Sequence, residues 1–172
     1  NNSHRFTSSD KSDFDELFDK YKTNLIFFVN RITGNITISE DIAADAFAEL
    51  IVNKPKYMKD KASMKTFLYL IARSRAIDFI RREKKRGELY HTKAETETVA
   101  EESLEDKVIK EEKFKMLNKV LNELPQDYKT VLHLVYYEDM TYKEVSEIMN
   151  KSQKQIGNLM YRAKNALRNK IE

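Results

Sequence analysis

Residues 124–168 read LPQDYKTVLHLVYYEDMTYKEVSEIMNKSQKQIGNLMYRAKNALR, and this stretch decides the fold. Thr141 followed three positions later by Glu144 forms a capping box, which predicts the start of a short helix. Asn150 follows that helix, and asparagine tolerates the left-handed conformation that ends helices. Ser152 is a natural N-cap for the next helix. A short helix, a tight turn and a second helix together predict a helix-turn-helix.

The second helix of this pair has two distinct faces. Apolar residues recur at helical spacing on the inward face: Ile156, Met160, Ala163 and Leu167. The outward face carries amide and basic side chains, and Gln or Asn suits adenine in the major groove whereas Arg or Lys suits guanine. The candidate DNA-binding residues are Ser152, Lys154, Gln155, Asn158 and Arg162. A solvated helical hairpin would show a similar polar face, so the pattern alone leaves both interpretations open.

Three further helical patterns precede this stretch. Apolar residues recur every three or four positions from Phe14 to Ile32, which predicts a first helix. Ser39 followed by Glu40 is typical of a helix start, so the alanine-rich second helix is expected to begin there. A third helix is predicted from Met64 to Lys85, after a lysine-rich loop at residues 55–62.

The composition favours an all-α fold without catalytic chemistry. Three glycines and two prolines in 172 residues are too few for the turns of an all-β or α/β nucleotide-binding fold. The absence of cysteine excludes disulfides and thiolate metal sites. His4, His91 and His133 lack ligand spacing, and no Ser–His–Asp arrangement or phosphate loop is present. We therefore expect no catalytic residue, no metal and no cofactor.

Charge divides the chain into segments. Residues 1–12 are polar and are expected to form a disordered lead. Residues 88–107 carry seven acidic and two basic groups with few apolar ones, which predicts a flexible acidic linker. The segments on either side, 13–87 and 108–172, are expected to be two small helical domains. Fully extended, the linker would reach roughly 66 Å, so the domains could bind separate points on one large partner.

Candidate binding residues also occur in the first domain. Asp41, Asp45 and Glu49 lie four positions apart and so share one helix face, as they would on an ordinary solvated helix. The run from Arg73 to Arg86 is strongly basic and would neutralise phosphates, although cations also complement the end of a helix. Tyr57, within a basic loop, is a candidate for stacking on an unpaired base.

Several motifs match one known family. The 124–168 stretch resembles the C-terminal DNA-binding region of bacterial sigma factors, through its Leu-Pro start, its T-Y-x-E-V-x-E-I-M core and its R-A-K-x-A-L-R end. SEDIAADAFAEL resembles the segment that binds core polymerase, and TFLYLIARSRAIDFIRREKKR resembles the segment that opens the −10 element. With only these two domains, the chain is most similar to the extracytoplasmic-function (ECF) group of the sigma-70 family.

This resemblance implies partners and roles. A region 2-like helical bundle would bind core RNA polymerase and single-stranded −10 DNA, and a region 4-like helix-turn-helix would bind the duplex −35 element. The implied polymerase-binding residues are Asp41, Asp45, Phe47 and Glu49. The implied −10 and strand-opening residues are Tyr57, Lys61, Arg73, Arg75, Arg81 and Arg82. An anti-sigma factor is a further candidate partner. Because no apolar run could cross a membrane and no signal-peptide core is seen, a cytoplasmic protein without membrane insertion is expected.

The sequence departs from the family pattern at several positions. Gly157 and Leu159 stand where the family often has basic residues in the recognition helix, so the promoter sequence stays open. Phe67 replaces the usual tryptophan of the strand-opening helix, and Asn150 replaces the usual turn glycine. Two rival functions also remain: a stand-alone helix-turn-helix regulator with an N-terminal interaction domain, and a helical interaction protein that does not bind DNA.

Overall fold

Seven α-helices and one π-helical turn make up the described part of the chain. The computed structural model describes residues 8–53, 61–87 and 111–171. Its elements in chain order are α1 Ser8–Thr33, α2 Ile36–Val52, α3 Lys61–Gly87, α4 Glu111–Asn122, α5 Gln126–Leu132, the π-helical turn His133–Tyr137, α6 Tyr142–Met149 and α7 Gln153–Ile171. Within these ranges no strand occurs, which confirms the prediction of an all-α fold. The predicted linker lies outside the described residues.

Helix α1 begins earlier than the sequence predicts. It starts at Ser8, so the part of the expected disordered lead from residue 8 onward is helical, and residues 1–7 lie outside the description. The prediction depended on an apolar stripe, which begins only at Phe14. The polar turns before it need no such stripe, because a helix that has formed elsewhere gains one backbone hydrogen bond for each residue by which it extends.

Helix α2 also begins earlier, and the prediction that Ser39 is its N-cap is wrong. Gly34, at φ 68°, reverses the chain after α1. The side chain of Asn35 then caps α2 by accepting a hydrogen bond from the backbone N–H of Ile38 at 3.1 Å. Ser39 is instead buried inside the first turn, where its hydroxyl donates to the carbonyl oxygen of Asn35 at 2.7 Å. An N-cap side chain accepts a hydrogen bond from a free backbone N–H group in the first turn of a helix. Asn35 is the first suitable side chain after the turn, so it caps α2 before the chain reaches Ser39.

Helices α1–α3 form an N-terminal group around a shared core. Its fully buried side chains include Leu25 and Val29 from α1, Leu50 from α2, and Leu68 from α3. Alanines on the facing surfaces of α2 and α3 are also buried: Ala43, Ala46, Ala72 and Ala76. Their small side chains allow the helix axes to approach closely, which holds the outward faces of α2 and α3 in a fixed relation.

Helices α4–α7 form a C-terminal group that contains the predicted helix-turn-helix. Thr141 and Glu144 make both hydrogen bonds of the capping box at the start of α6. Asn150 ends α6 in the left-handed region at φ 53°. Ile156 and Met160 of α7 are buried, as their spacing predicts. The local signals in the sequence therefore place the turn and both helices correctly.

The two helical groups contact each other directly. The sequence leaves their relative orientation open, and in the structure α3 packs on α6 while α1 contacts α5. Leu134 is fully buried in the core cluster that joins both groups. The ring of His133 lies 5.3 Å from that of Phe28 between centroids, and Phe28 lies 5.1 Å from Tyr69. Apolar and aromatic packing thus continues from one group into the other.

Candidate nucleic-acid and polymerase interfaces

The outward face of α7 is open to solvent. Lys154, Asn158 and Arg162 are exposed, and none has a hydrogen bond or ion pair with another described residue. They lie on the side opposite Ile156 and Met160, which anchor the helix in the core. Amide and cationic groups are therefore held on a fixed helix without partners of their own, which suits contact with the edges and phosphates of duplex DNA.

Tyr161 belongs to the same face, although the sequence analysis did not select it. Its side chain is 70 % exposed, three positions after Asn158 and next to Arg162. A tyrosine exposed to this degree offers an apolar ring edge and a hydroxyl group to a binding partner. The sequence could have indicated that Tyr161 is exposed, because position 161 falls between the inward positions 160 and 163. It was not selected because aromatic residues at helical spacing usually belong to a core.

Ser152 and Gln155 have a different arrangement, because they cap α7. The backbone N–H of Gln155 donates to Ser152 Oγ at 3.1 Å, and the backbone N–H of Ser152 donates to Gln155 Oε1 at 2.8 Å. A bidentate contact with adenine needs both the oxygen and the nitrogen of an amide side chain. In this conformation the amide of Gln155 is turned back toward the backbone N–H of Ser152, whereas the amide of Asn158 has no hydrogen bond with a described residue and is freer to meet a base.

Gly157 lies where α7 passes the first residue of α6. A Cβ atom built there would have one near neighbour, the Cε2 atom of Tyr142 at 3.9 Å, which is ordinary van der Waals contact. The protein fold itself therefore does not require glycine at this position. Gly157 is half-buried and lies at the edge of the outward face of α7, beside Tyr142.

The basic residues of α3 divide into two sets with different surroundings. Arg73 points toward the C-terminal group: its side chain is only 17 % exposed, and it reaches the carbonyl oxygen of Ile148 at 3.5 Å and the carboxylate of Asp127 at 3.8 Å. Burial lowers the pKa of Arg73. Arg81 and Arg82 are exposed nearer the end of α3, where Arg81 lies 4.0 Å from Asp78.

Arg75 joins two of the predicted sites. Its guanidinium donates to Glu49 Oε2 at 2.9 Å and lies 3.8 Å from Asp45 Oδ2. Arg75 was predicted to bind DNA, and both acids were predicted to bind polymerase. The structure instead brings all three together on the surface between α2 and α3, so this part of the two predicted sites is one mixed-charge surface.

A groove of about 280 Å³ lies on that surface. Ile38 and Phe79 give it an apolar lining, and charged groups including Asp41 and Asp45 line it as well. An apolar groove with charges of both signs is suited to side chains of a protein partner more than to the uniform negative charge of DNA. Asp41 and Asp45 are themselves exposed, as the helical spacing predicts.

Of three further predicted residues, one is buried and two have side chains that the structure does not describe. Phe47 is only 2 % exposed, and its ring packs against Phe18 at 4.9 Å between centroids, so the prediction that it contacts polymerase is not supported by its position. Its spacing from Ala43 and Leu50 places it on the inward face of α2. Tyr57 lies outside the described residues, and Lys61 is described only as the first residue of α3.

The described residues contain no group of three or more histidine, aspartate or glutamate side chains arranged to hold a metal ion. No helix within residues 8–53, 61–87 or 111–171 is long and apolar enough to span a membrane.

Comparison with known proteins gives two family matches in chain order. The model of Sigma-70 region 2 matches residues 17–86, and the model of Sigma-70, region 4 matches residues 114–167. The first match coincides with α1–α3 and the second with α4–α7. The helix-turn-helix and the mixed-charge surface therefore each fall inside one of the two matched regions.

Individual relatives extend over nearly the whole chain. It is 31 % identical over 170 residues to the ECF RNA polymerase sigma factor SigW of Bacillus subtilis, covering 94 % of this chain and 90 % of that protein. It is 27 % identical over 162 residues to the ECF RNA polymerase sigma factor SigM of the same organism, covering 90 % of this chain and 92 % of SigM. The fold is similar to that of the sigma factor RpoE from Bartonella quintana, solved with the anti-sigma factor NepR, at a TM-score of 0.66 and 19 % identity over 91 % of this chain and 95 % of that one.

Proposed function

The chain belongs to the ECF RNA polymerase sigma factors of the sigma-70 family, and on that premise we propose which of its surfaces bind the polymerase and the promoter. A sigma factor directs transcription initiation by binding core RNA polymerase and promoter DNA. It is not an enzyme, because the chemistry of RNA synthesis belongs to the polymerase.

We assign recognition of the duplex −35 element to the outward face of α7. The observation that carries this assignment is the set of exposed side chains Lys154, Asn158 and Arg162, which have no hydrogen bond or ion pair with another described residue, on a helix capped at its N-terminus. Tyr161 extends the same face. Recognition helices enter the major groove N-terminus first. Asn158 therefore reads a base edge, whereas Arg162, one turn further along, contacts a phosphate or a flanking base. Ser152 and Gln155 hold the start of the helix in place.

We assign the −10 element to the exposed end of α3 and the loop that precedes this helix. Arg81 and Arg82 are exposed there and would attract the DNA backbone in a salt-dependent manner. Tyr57 and Lys61 complete the proposed site, with Tyr57 stacking on an unpaired base. Arg73 joins this site only when it is released from its contacts with the C-terminal group.

We assign polymerase binding to the groove between α2 and α3. Asp41 and Asp45 offer exposed carboxylates beside an apolar lining, and Glu49 orients Arg75. A protein partner can bury Phe79 and Ile38 while it pairs with the acids. Phe47 supports this surface from inside the core. The proposed function also places the protein in the cytoplasm, where it would meet the polymerase, and includes an anti-sigma factor as a partner by analogy with the RpoE structure.

Reconstituted transcription on a promoter library tests the −35 assignment. Holoenzyme with Asn158→Ala should change the preferred base at one upstream position, because a bidentate base contact contributes about 1–3 kcal/mol. Arg162→Ala should weaken binding to all promoters and reduce the salt slope by about one unit. Lys115→Ala is the matched control, since Lys115 is an exposed lysine of α4 and not of α7.

Two results would contradict the assignment. If both α7 variants keep the upstream preference and the salt slope of the unmodified protein, α7 does not contact the −35 element. If the chain alone, without core polymerase, binds duplex promoter DNA with full sequence preference, a stand-alone regulator describes it better.

A further inference from the structure

Exposed tyrosine side chains lie on and beside α7. Tyr136 in the π-helical turn is 62 % exposed, Tyr142 at the start of α6 is 38 % exposed, and Tyr161 of α7 is 70 % exposed. We call these three residues the tyrosine strip. Tyrosine supplies a large apolar ring and a polar hydroxyl group, and it is enriched at binding surfaces for that reason. The function proposed above makes no use of Tyr136 or Tyr142.

Two contacts place the tyrosine strip along one side of α7. The Cε2 atom of Tyr142 lies 3.9 Å from a Cβ atom built on Gly157. The Nζ atom of Lys164 lies 5.7 Å from the ring centroid of Tyr136. Positions 157, 161 and 164 share one stripe of the helix, because they are four and three residues apart. Tyr142, Tyr161 and Tyr136 therefore follow one another along about 10 Å of the helix, at about 1.5 Å per residue.

This stripe flanks the face that is proposed to read bases. Successive residues of an α-helix are rotated by about 100° around its axis, so Tyr161 is rotated by about 60° from Asn158 and Gly157 by about 100° in the same direction. The buried side chains of Ile156 and Met160 lie on the opposite side from Asn158. The tyrosine strip therefore lies between the outward face and the core, at one edge of the surface that would enter the major groove.

The flank of a docked recognition helix faces the sugar-phosphate backbone. The major groove is about 12 Å wide, and an α-helix with its side chains is about 10–12 Å across. The outward face therefore meets the base edges, and the sides of the helix meet the strands that form the walls of the groove. Tyrosine is one of the side chains that donate hydrogen bonds to phosphate oxygens. The position of the tyrosine strip thus suits the backbone of one DNA strand.

The charges around the tyrosine strip suit the same partner. Lys164 lies beside the strip, and Lys143 follows Tyr142 in the chain at an exposed position. Arg168 is exposed one turn beyond Lys164 on the same side of α7. One acid, Asp139, is exposed in the loop before α6. Cations therefore outnumber acids along the strip, which favours a phosphate backbone over an uncharged or basic protein surface.

The hydroxyl groups of the tyrosine strip are free to bind. None of the three has a hydrogen bond with another described residue. A buried tyrosine usually has a partner for its hydroxyl group, as Tyr69 has in Glu138 at 2.6 Å. The hydroxyl groups of the strip are instead available to an acceptor that approaches from the solvent. Uncharged phenols and the neighbouring lysine thus offer two kinds of donor to the same strand.

We propose that Tyr136, Tyr142 and Tyr161 bind the phosphates of one strand beside the −35 element and so fix the register of α7 in the major groove. This inference rests on the proposed function of α7, and it adds contacts from the π-helical turn and from α6. Phosphate contacts set the register and orientation of a protein on the duplex. Because a phenol is uncharged, these contacts release no counterions, so they contribute an affinity that added salt does not weaken.

Binding of the holoenzyme to promoter DNA at several salt concentrations tests this inference. Tyr136→Phe, Tyr142→Phe and Tyr161→Phe each remove one hydroxyl group and keep the ring. On duplex promoters selected from the library, each variant should lower the affinity of the holoenzyme roughly twofold to tenfold, because one hydrogen bond is lost. The loss should be the same for all promoters. The slope of log affinity against log salt should equal that of the unmodified protein, because no charge is removed.

Two further variants serve as matched controls. Tyr137→Phe removes a hydroxyl group next to Tyr136 in the chain, but from a ring that lies 5.3 Å from that of Phe27 in α1, so it should leave the affinity unchanged. Lys164→Gln removes a charge beside the tyrosine strip and should flatten the salt slope by about one unit. All variants should retain the helical circular dichroism and the unfolding temperature of the unmodified protein.

Neutral phosphate analogues locate the contacts on the DNA. A methylphosphonate, placed at one position at a time, replaces a charged phosphate oxygen by a methyl group. The unmodified holoenzyme should lose affinity at positions on one strand beside the −35 element. At the phosphate that Tyr161 contacts, the Tyr161→Phe holoenzyme should lose less, because the hydrogen bond is already absent.

The outcomes separate this inference from the proposed function. Unchanged affinity in all three tyrosine variants would overturn the phosphate contacts, and so would a flattened salt slope. A change in the preferred promoter sequence would overturn them too, because the tyrosines would then read bases. If the tyrosine variants lose affinity evenly while Asn158→Ala keeps the upstream preference and Arg162→Ala keeps the salt slope, only the proposed function of the outward face is contradicted.

Discussion

Protonation of His133 is expected to destabilise the folded chain below neutral pH. The side chain is fully buried, and burial lowers its pKa from 6.5 to about 4, although its hydrogen bond with Glu138 opposes the shift. The charged and titratable groups that face it are Arg31 from α1, Lys65 and Tyr69 from α3, and Tyr137 and Glu138 from its own segment. Between pH 6.5 and about 4 the unfolded chain binds a proton at His133 that the folded chain does not.

The size of the effect follows from this difference in pKa. Stability rises with pH wherever the unfolded state binds more protons. The contribution of neutral His133 to the free energy of unfolding is therefore complete above the pKa of this side chain in the unfolded chain. It is lost as the pH falls toward the pKa in the folded chain. At about pH 5 the medium is 1.5 units below the unfolded value of about 6.5, and each unit corresponds to about 1.36 kcal/mol. The free energy of unfolding should thus fall by about 2 kcal/mol between about pH 7 and pH 5.

Glu138 adds little to this change in that range. Burial alone would raise the pKa of Glu138, but hydrogen bonds from His133 and Tyr69 outweigh burial and the pKa is lowered. Its stabilising contribution is present above the unfolded pKa and is lost only as the pH falls below about 4.5. The drop between about pH 7 and pH 5 therefore reports mainly on His133.

Urea denaturation at the two pH values measures the effect. His133→Gln is the control, because glutamine cannot take up the proton, and its loss of stability on acidification should be smaller by about 2 kcal/mol. A pH titration of the imidazole signals by NMR should show one resonance, missing in the variant, that titrates near pH 4. Equal loss of stability in both proteins, or a His133 resonance that titrates near 6.5, would refute the reasoning.

Four further predictions concern the fold. Gly157→Ala should stabilise α7 by about 1 kcal/mol in thermal unfolding, because alanine is the better helix former and its Cβ meets no close atom. Asn150→Val should cost about 1–2 kcal/mol in the same assay, whereas Asn150→Gly should not, since only the former strains the left-handed φ. Leu134→Ala should cost about 2–5 kcal/mol in urea denaturation, because its side chain is fully buried where the two groups meet. Limited proteolysis should cut first within residues 88–107, whose acidic composition is poor in core residues; earlier cleavage inside α3 would contradict the proposed division at that segment.

Local residue patterns were sufficient to predict the helix-turn-helix and the all-helical class. Thr141 with Glu144, Asn150 and Ser152 act through hydrogen bonds and backbone angles within a few residues, so their effect is encoded locally. Apolar spacing fixed the inward faces of the helices for the same reason. Local signals misled where two candidates competed, as when Asn35 capped α2 in place of Ser39, and at the polar start of α1, which has no apolar stripe.

The candidate binding surfaces were predicted in part. Lys154, Asn158 and Arg162 lie on an open face as expected, because the face of a helix follows from its period. Phe47 was assigned to a surface through family resemblance, although its spacing puts it in the core. The pairing of Arg75 with Glu49 joins residues 26 positions apart on two helices, and no local pattern specifies which exposed charges will meet.

The way in which the two helical groups meet depends on contacts between residues that are far apart in the sequence. Arg31 and His133 are 102 positions apart, and Tyr69 and Glu138 are 69 apart. In the sequence His133 was an isolated histidine in a helix, and Glu138 belonged to an ordinary polar turn. Their partners are set by the packing of α3 on α6 and by a π-helical turn that redirects Glu138. Burial then strengthens the hydrogen bonds between these polar side chains and shifts the pKa of His133. Burial is a property of the assembled chain and not of any local segment.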